Sequence, residues 1–448
     1  MNHFIAKHAR QINLALWLII LIQVIGIGLV SNPITADSPH YRGLSQNMLS
    51  GNGYSLACDG ALQPEGWRPP GYPLFLSAVT LTFGPSVKAE VACQLSLYLA
   101  AIALLFSVAR RFSALAGAIF LAIAAIYPAV AYSASLVMAE APTVFLITGA
   151  VYLLISCKHP WAYCLAGAAL GLSALCRAQL LPLGVVVAIG LWIAHMRLRE
   201  AILVAACSFL VLAPYATWNL SHFGRFTPVT AQSGSGEPML YAAWEARIPS
   251  PDLVQFANGR GATPIIAQSG MLSQFEAINA KLGTPAADPA PFPLCDRAKS
   301  AQSDKLMRAA AFTDFKAWPG DYIRHYLWVG WVKDWIPTLS LQHFQLPVRV
   351  FLLADTLLVL FLGFAGSVFL MRSSVGTEER VLGTIITSLI CYFGLTIGLF
   401  VSQSRNTIPV RLLLLLAGAA WLGAVFTKSE TNASREETDA VGAGSYRL

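Results

Sequence analysis

Charge is what this sequence has least of. Asp, Glu, Lys and Arg make up 12% of its 448 residues, and 56% are hydrophobic. A soluble domain carries roughly 25% charged residues. The shortage excludes an ordinary soluble fold and, with many long apolar runs, leaves a polytopic membrane protein. A net charge of +7 does not point to nucleic acid, because the basic residues sit mainly in short segments between apolar runs. The eight cysteines include no CxxC and no Cys/His cluster, so no zinc site is expected. Most (Cys93, Cys157, Cys164, Cys176, Cys207, Cys391) lie in or beside apolar runs as packing residues. Cys58 and Cys295 lie in polar segments, where a bridge would tie two loops together. Neither GNGYS (51–55) nor GSGEP (234–238) is a Walker loop or a GxGxxG, which argues against a nucleotide site. No fixed repeat is present, nor the inverted pair of broken helices found in many transporters.

What the sequence does have is about ten spans, at 13–31, 87–109, 114–133, 141–157, 162–176, 179–195, 200–214, 347–371, 381–401 and 408–427. The expected fold is therefore an all-α polytopic bundle over 1–427. The polar tail 428–448 has no apolar periodicity and is expected to be disordered. With the N-terminus in the cytoplasm, every short cytoplasmic loop receives a Lys or Arg: Arg110 and Arg111, Lys158, Arg197 and Arg199, Arg372 and Arg380, and Lys428. Both termini are then cytoplasmic, and the polar segments 32–85 and 215–346 lie outside. Within the first, RPPGYPLFLSAVTLTFG (68–84) has an apolar part too short to span and reads as an interfacial helix. Trp328, Trp331 and Trp335 share one helical face and predict a second interfacial helix.

Four ionisable groups fall on the outer side: Asp37 after the first span, Glu140 opening the fourth, Arg177 between the fifth and sixth, and Arg405 before the last. Arg411 lies further into that last span. A charge in the apolar zone costs about 3 kcal/mol or more, so such groups tend to be paired or functional. Two acids among arginines suit a phosphorylated, lipid-borne substrate. Arginine grips phosphate through its planar fork, and a carboxylate can take a proton from an acceptor hydroxyl. The same groups are compatible with a transporter. His40 has no second histidine nearby and reads as a surface residue.

Four stretches in order make the chain resemble the GT-C membrane glycosyltransferases, particularly the bacterial branch of protein O-mannosyltransferases and aminoarabinose transferases. They are ADSPHYRGLSQNMLSGNGYS (36–55), WRPPGYPLFLSAV (67–79), SLVMAEAPTVF (135–145) and APYATWNLSHFGRFTPVTAQSG (213–234). The second is the most specific, matching an R-x-P-x-Y-P juxtamembrane helix. The sequence departs from the family pattern at Ser38, Trp218 and Asn406.

The resemblance implies a GT-C-like bundle with periplasmic juxtamembrane helices and one large periplasmic loop, in a bacterial inner membrane. It implies a sugar donor linked to polyprenyl phosphate, a glycan, lipid or protein acceptor, and transfer with inversion on the periplasmic face. Asp37 occupies the place of the catalytic base and Glu140 the second acidic position. Tyr41, Arg68 and Tyr72 would position the site, with Arg177 beside it. Arg405 would grip the lipid phosphate, with Arg411 or Arg225 as alternatives. No cofactor is implied; a divalent metal is compatible with the pattern but not indicated by it. Two other readings stay open: a transporter or flippase for a lipid-linked solute, and a non-catalytic envelope assembly protein.

Overall fold

The computed structural model describes residues 2–35, 37–58, 60–195, 197–231, 236–248, 270–283, 297–330, 335, 346–372, 376–397 and 406–444. Helices dominate. Helix α1 (Asn2–Val30) is followed by the short α2 (Ser38–Leu49), a hairpin of β1 (Ser55–Cys58) and β2 (Ala61–Pro64), and α3 (Gly71–Phe83). Then come α4 (Val87–Phe112), α5 (Ala114–Ile126), α6 (Ala129–Ser135), α7 (Glu140–Ser156), α8 (Pro160–Cys176), α9 (Leu183–His195) and α10 (Leu198–Phe223). A small extramembrane group follows: α11 (Gly236–Arg247), α12 (Met271–Leu282), α13 (Arg297–Ala317) and α14 (Pro319–Arg324). The chain closes with α15 (Leu346–Leu370), α16 (Thr377–Ile397) and α17 (Ile408–Gly444).

Among the described residues, five helices are long and apolar enough to cross a membrane: α1, α4, α10, α15 and α17. The bent pair α5–α6 makes a sixth. Helices α7, α8, α9 and α16 occupy the four remaining expected spans. α7 and α8 have 17 residues each, the lower limit of a transmembrane helix. The chain is a multi-pass membrane protein.

Local signals explain several boundaries. The Ser113 hydroxyl accepts from Ala116 N at 2.9 Å, so one residue ends α4 and caps α5. Arg110 and Arg111 close α4, where positive charge suits the helix dipole. The span expected at 114–133 bends by 59° at Tyr127–Pro128, where proline interrupts the backbone ladder. The span expected to stop at 214 instead runs on to Phe223 through Pro214. Proline is tolerated inside a packed membrane helix.

Two further expectations are corrected. The tail read as disordered continues α17 as helix to Gly444. The tryptophan face is not one interfacial stripe. Trp328 is exposed, but Trp335 is buried against Phe364 at 5.3 Å between ring centroids; Trp331 lies outside the described residues. Cys295 and the side chain of Cys58 also lie outside what is described, as does Arg405.

One apolar core runs through the bundle. Helices α8 and α10 lie so close that a Cβ at Gly167 or Gly171 would strike the α10 backbone at Val204 or Ser208. The α11–α13 group has its own core, in which Leu240, Trp244, Phe275, Ile278 and Met307 meet. Gly71 sets the position of α3: a Cβ there would stand 2.7 Å from the Leu175 carbonyl carbon and oxygen at the end of α8. Backbone cannot give way as a flexible side chain can. Gly71→Ala is therefore expected to destabilise the protein by about 1–3 kcal/mol, the usual cost of overpacking. A thermal midpoint in detergent equal to the parent's would refute this.

Candidate functional site

The site begins where the chain leaves α1. Asp37 stands at the start of α2, and Ser38 beside it is fully buried. The Ser38 hydroxyl donates to the Val137 carbonyl at 2.9 Å, and Val137 N donates to the Pro33 carbonyl at 2.8 Å. These bonds tie the Asp37 loop to the α6–α7 loop, which leads into Glu140. Ser38 thus clips two loops together.

Arg68 reaches Asp37 from the segment before α3. Its Nη2 donates to Asp37 Oδ1 at 2.6 Å and its Nη1 to the Tyr41 hydroxyl at 3.3 Å. The guanidinium also lies 4.4 Å from the Trp67 ring centroid and 5.0 Å from that of Tyr41. The Arg68 backbone is held as firmly. Glu65 Oε1 accepts from Trp67 N at 2.6 Å and Arg68 N at 3.0 Å, while its Oε2 meets His40 Nε2 at 3.1 Å. The hydroxyls of Tyr54 and Tyr215 both donate to the Arg68 carbonyl, at 2.8 and 3.2 Å. Burial works against the Arg68 charge, but Tyr41 and Asp37 outweigh it and raise its pKa. His40, read as a surface residue, is a strut of this turn.

Behind this pair, Tyr41 packs edge-on against Tyr72 at 4.9 Å. The Tyr72 hydroxyl donates to Gln94 Oε1 at 2.6 Å, and Gln94 Nε2 donates to the carbonyls of Ala134 and Leu136. Gln94 thereby holds α3 and α4 against the unwound end of α6. On the other side, Arg177 Nη1 donates to Glu140 Oε1 at 2.8 Å and its Nη2 to Asn406 Oδ1 at 3.3 Å. Asn406 ties this pair to the last span. The two ion pairs are neighbours: the charges of Arg68, Glu140, Asp37 and Arg177 all act on the Tyr41 hydroxyl, whose pKa burial raises.

Two other candidates stand elsewhere. Arg411 is fully buried, not placed at an open mouth. Its guanidinium donates to the Tyr127 hydroxyl at 2.6 Å, to Thr407 Oγ1 and to the Trp335 carbonyl. It fastens α17 to the α5–α6 bend. Arg225 is exposed in the turn after α10. Trp218 stacks on Tyr215 at 5.5 Å and packs against Tyr54.

Glu237, in the first turn of α11, was not singled out from the sequence. The only signal was an acid inside a Gly-rich run. Asp304 Oδ1 accepts from Gly236 N at 2.8 Å and fastens α11 to α13. Burial raises the Glu237 carboxyl to about 7; Arg68 lowers it, while Asp37 and Asp304 raise it further. The α11–α13 group thus delivers a third carboxyl within electrostatic reach of Asp37 and Arg68. A carboxyl raised in the folded state stabilises below its ordinary 4.5 and loses that contribution as pH rises through about 7. Glu237→Gln is expected to remove this part of the fall in thermal stability across that window. An unchanged pH–stability curve would refute it. Among the described residues, no three His, Cys, Asp or Glu stand together as a metal-ligand set.

No protein-family model matches the chain, and no curated protein matches it. Solved structures do. The chain is similar to the archaeal oligosaccharyltransferase AglB from Archaeoglobus fulgidus, solved with an inhibitory peptide and a dolichol-phosphate. The TM-score is 0.50 at 14% identity, over 94% of this chain and 52% of that one. It is also similar to ArnT from Cupriavidus metallidurans bound to undecaprenyl phosphate, with TM-score 0.41 at 15% identity, over 89% and 77% of the two chains. The chain spans about half the length of AglB. The fold is the GT-C fold of membrane glycosyltransferases.

Proposed function

We propose that this chain moves a sugar from a polyprenyl-phosphate donor to a hydroxyl of an envelope glycan, lipid or protein. The observation that carries the reading is the joining of two acid–arginine pairs, Asp37–Arg68 and Glu140–Arg177, around Tyr41 at one end of a GT-C bundle. The dolichol-phosphate bound to AglB supports a lipid phosphate as the donor's leaving group.

In this reading Asp37 takes the proton from the acceptor hydroxyl. The acceptor oxygen bonds to the anomeric carbon while the bond from that carbon to the phosphate oxygen breaks, and the lipid phosphate leaves. One displacement inverts the centre. Charge grows on the departing phosphate, and arginines preplaced there stabilise it. Arg68 is suited to exchange the Asp37 carboxylate for that phosphate, which frees the base as the donor arrives. Glu140 and Arg177 brace the other wall. Arg411, with its donors engaged inside the protein, positions the last span; Arg405 is left as the grip from that side.

The test is sugar release from a polyprenyl-phosphate-linked donor by purified protein in lipid. Folded protein that retains every donor tried, with all candidate acceptors present, would sink the reading. In the cell, the site face is expected on the periplasmic side of an inner membrane, with both termini in the cytoplasm. Reporters fused at Lys158 and at Lys305 are expected on opposite sides, and the same side for both would overturn this layout.

A further inference from the structure

The membrane face opposite the Asp37 site carries a second constellation. Helix α7, 17 residues long, has Glu140 at one end and Leu154 and Ile155 near the other, roughly 21 Å away at 1.5 Å per residue. There the α7–α8 and α9–α10 connections meet the start of α16. They enclose a cavity of about 120 Å³ lined by Lys158, Tyr163, Arg197, Thr377 and Glu378, with an apolar floor. That is well below the roughly 300–1,000 Å³ of a small-molecule site. It suits a head group and not a whole ligand.

The charges are arranged unequally. Arg111 engages Glu378 with both Nε and Nη2, at 3.2 and 2.9 Å, so its fork is filled and the acid is matched. Lys158 only grazes the same carboxylate at 3.6 Å, with 78% of its side chain exposed. Arg197 gives one nitrogen to Glu200 at 3.1 Å and is 67% exposed. Two cations from two different connections therefore converge on one cavity with donors to spare, beside the Thr377 hydroxyl and beside Tyr163, whose hydroxyl bonds to Glu200. Cations placed only by the positive-inside bias need not share a cavity. Basic pockets between membrane helices do bind phosphate head groups.

We infer that this cavity binds the phosphate of an anionic membrane lipid, in the leaflet opposite the proposed transfer site. Lys158 and Arg197 take the phosphate oxygens, the Thr377 hydroxyl completes the shell, and the acyl chains leave along the outer faces of α8 and α10. The inference stands apart from the glycosyl-transfer reading, and its test needs no activity.

The test is native mass spectrometry of the full chain from nanodiscs mixing phosphatidylglycerol with phosphatidylcholine. The parent protein should retain phosphatidylglycerol selectively. Lys158→Gln with Arg197→Gln should lower that retention by roughly tenfold or more. Both residues are exposed, so folding is spared. Glu378→Gln should raise retention, since it releases Arg111. Arg199→Gln, on the same face but outside the cavity, should leave it unchanged. Equal retention by parent and double variant, an equal loss from Arg199→Gln, or displacement of the lipid by inorganic phosphate that then occupies the site would each overturn the inference.

Discussion

Asp37→Asn is expected to lower sugar transfer by about a hundredfold or more, the usual scale for a general base. The substitution suits the geometry. Asparagine keeps an oxygen that can accept from Arg68, now 2.6 Å from the carboxylate, and keeps the side-chain volume. Asp37 and Arg68 are both partly accessible, at 23% and 19% of their side chains. Losing the charge should perturb folding little, because asparagine still accepts the Arg68 hydrogen bond and leaves no buried donor unpaired. Rate and stability are separable here. The thermal midpoint in detergent should stay near the parent's while turnover collapses, and donor binding should persist through Arg68. A folded Asp37→Asn protein with near-normal turnover would remove Asp37 as the base and return the transporter and assembly readings to the front.

The spans were legible because apolar runs of membrane length have few alternatives. Their ends were less so. The span expected to end at 214 runs on through Pro214 to Phe223, because a packed membrane helix carries proline through. Pro128 did break its span, at a bend that the buried Arg411 fastens through Tyr127. Hydropathy alone does not tell these two prolines apart. In the site, Asp37, Arg68 and Tyr72 could be named because they stand in stretches with a recognisable order. Gln94, Glu65 and Glu237 carry no spacing signal. Gln94 is one polar residue inside an apolar span; its meaning lies in the α6 carbonyls it meets, forty and forty-two residues further on. Glu237 lies within electrostatic reach of Asp37 through the tertiary fold, which no local pattern announces. Arg411 shows the converse. Its place in a span marked it as special, and the structure makes it a fastener with its donors turned inward.

The largest stability effect is expected at the second ion pair. Glu140 has 4% of its side chain exposed and Arg177 has 12%, with 2.8 Å between Oε1 and Nη1. Among the described residues Glu140 Oε2 has no hydrogen-bond partner, so this carboxylate depends on Arg177 more than a hydrated acid would. Arg177→Met fills similar space but leaves the acid buried without its cation. Breaking such a pair costs about 3–5 kcal/mol. It also removes the bond to Asn406 that ties the pair to the last span. Glu140→Gln alone leaves a buried cation, which Asn406 still contacts, and should cost somewhat less. The double variant, with neither charge, is expected to recover a large part of the loss, because the desolvation of both ions disappears together. Reversible denaturation in mixed micelles would measure all three. If the two single losses simply add in the double variant, the pair is not coupled, and Glu140 is held by its surroundings and not by Arg177.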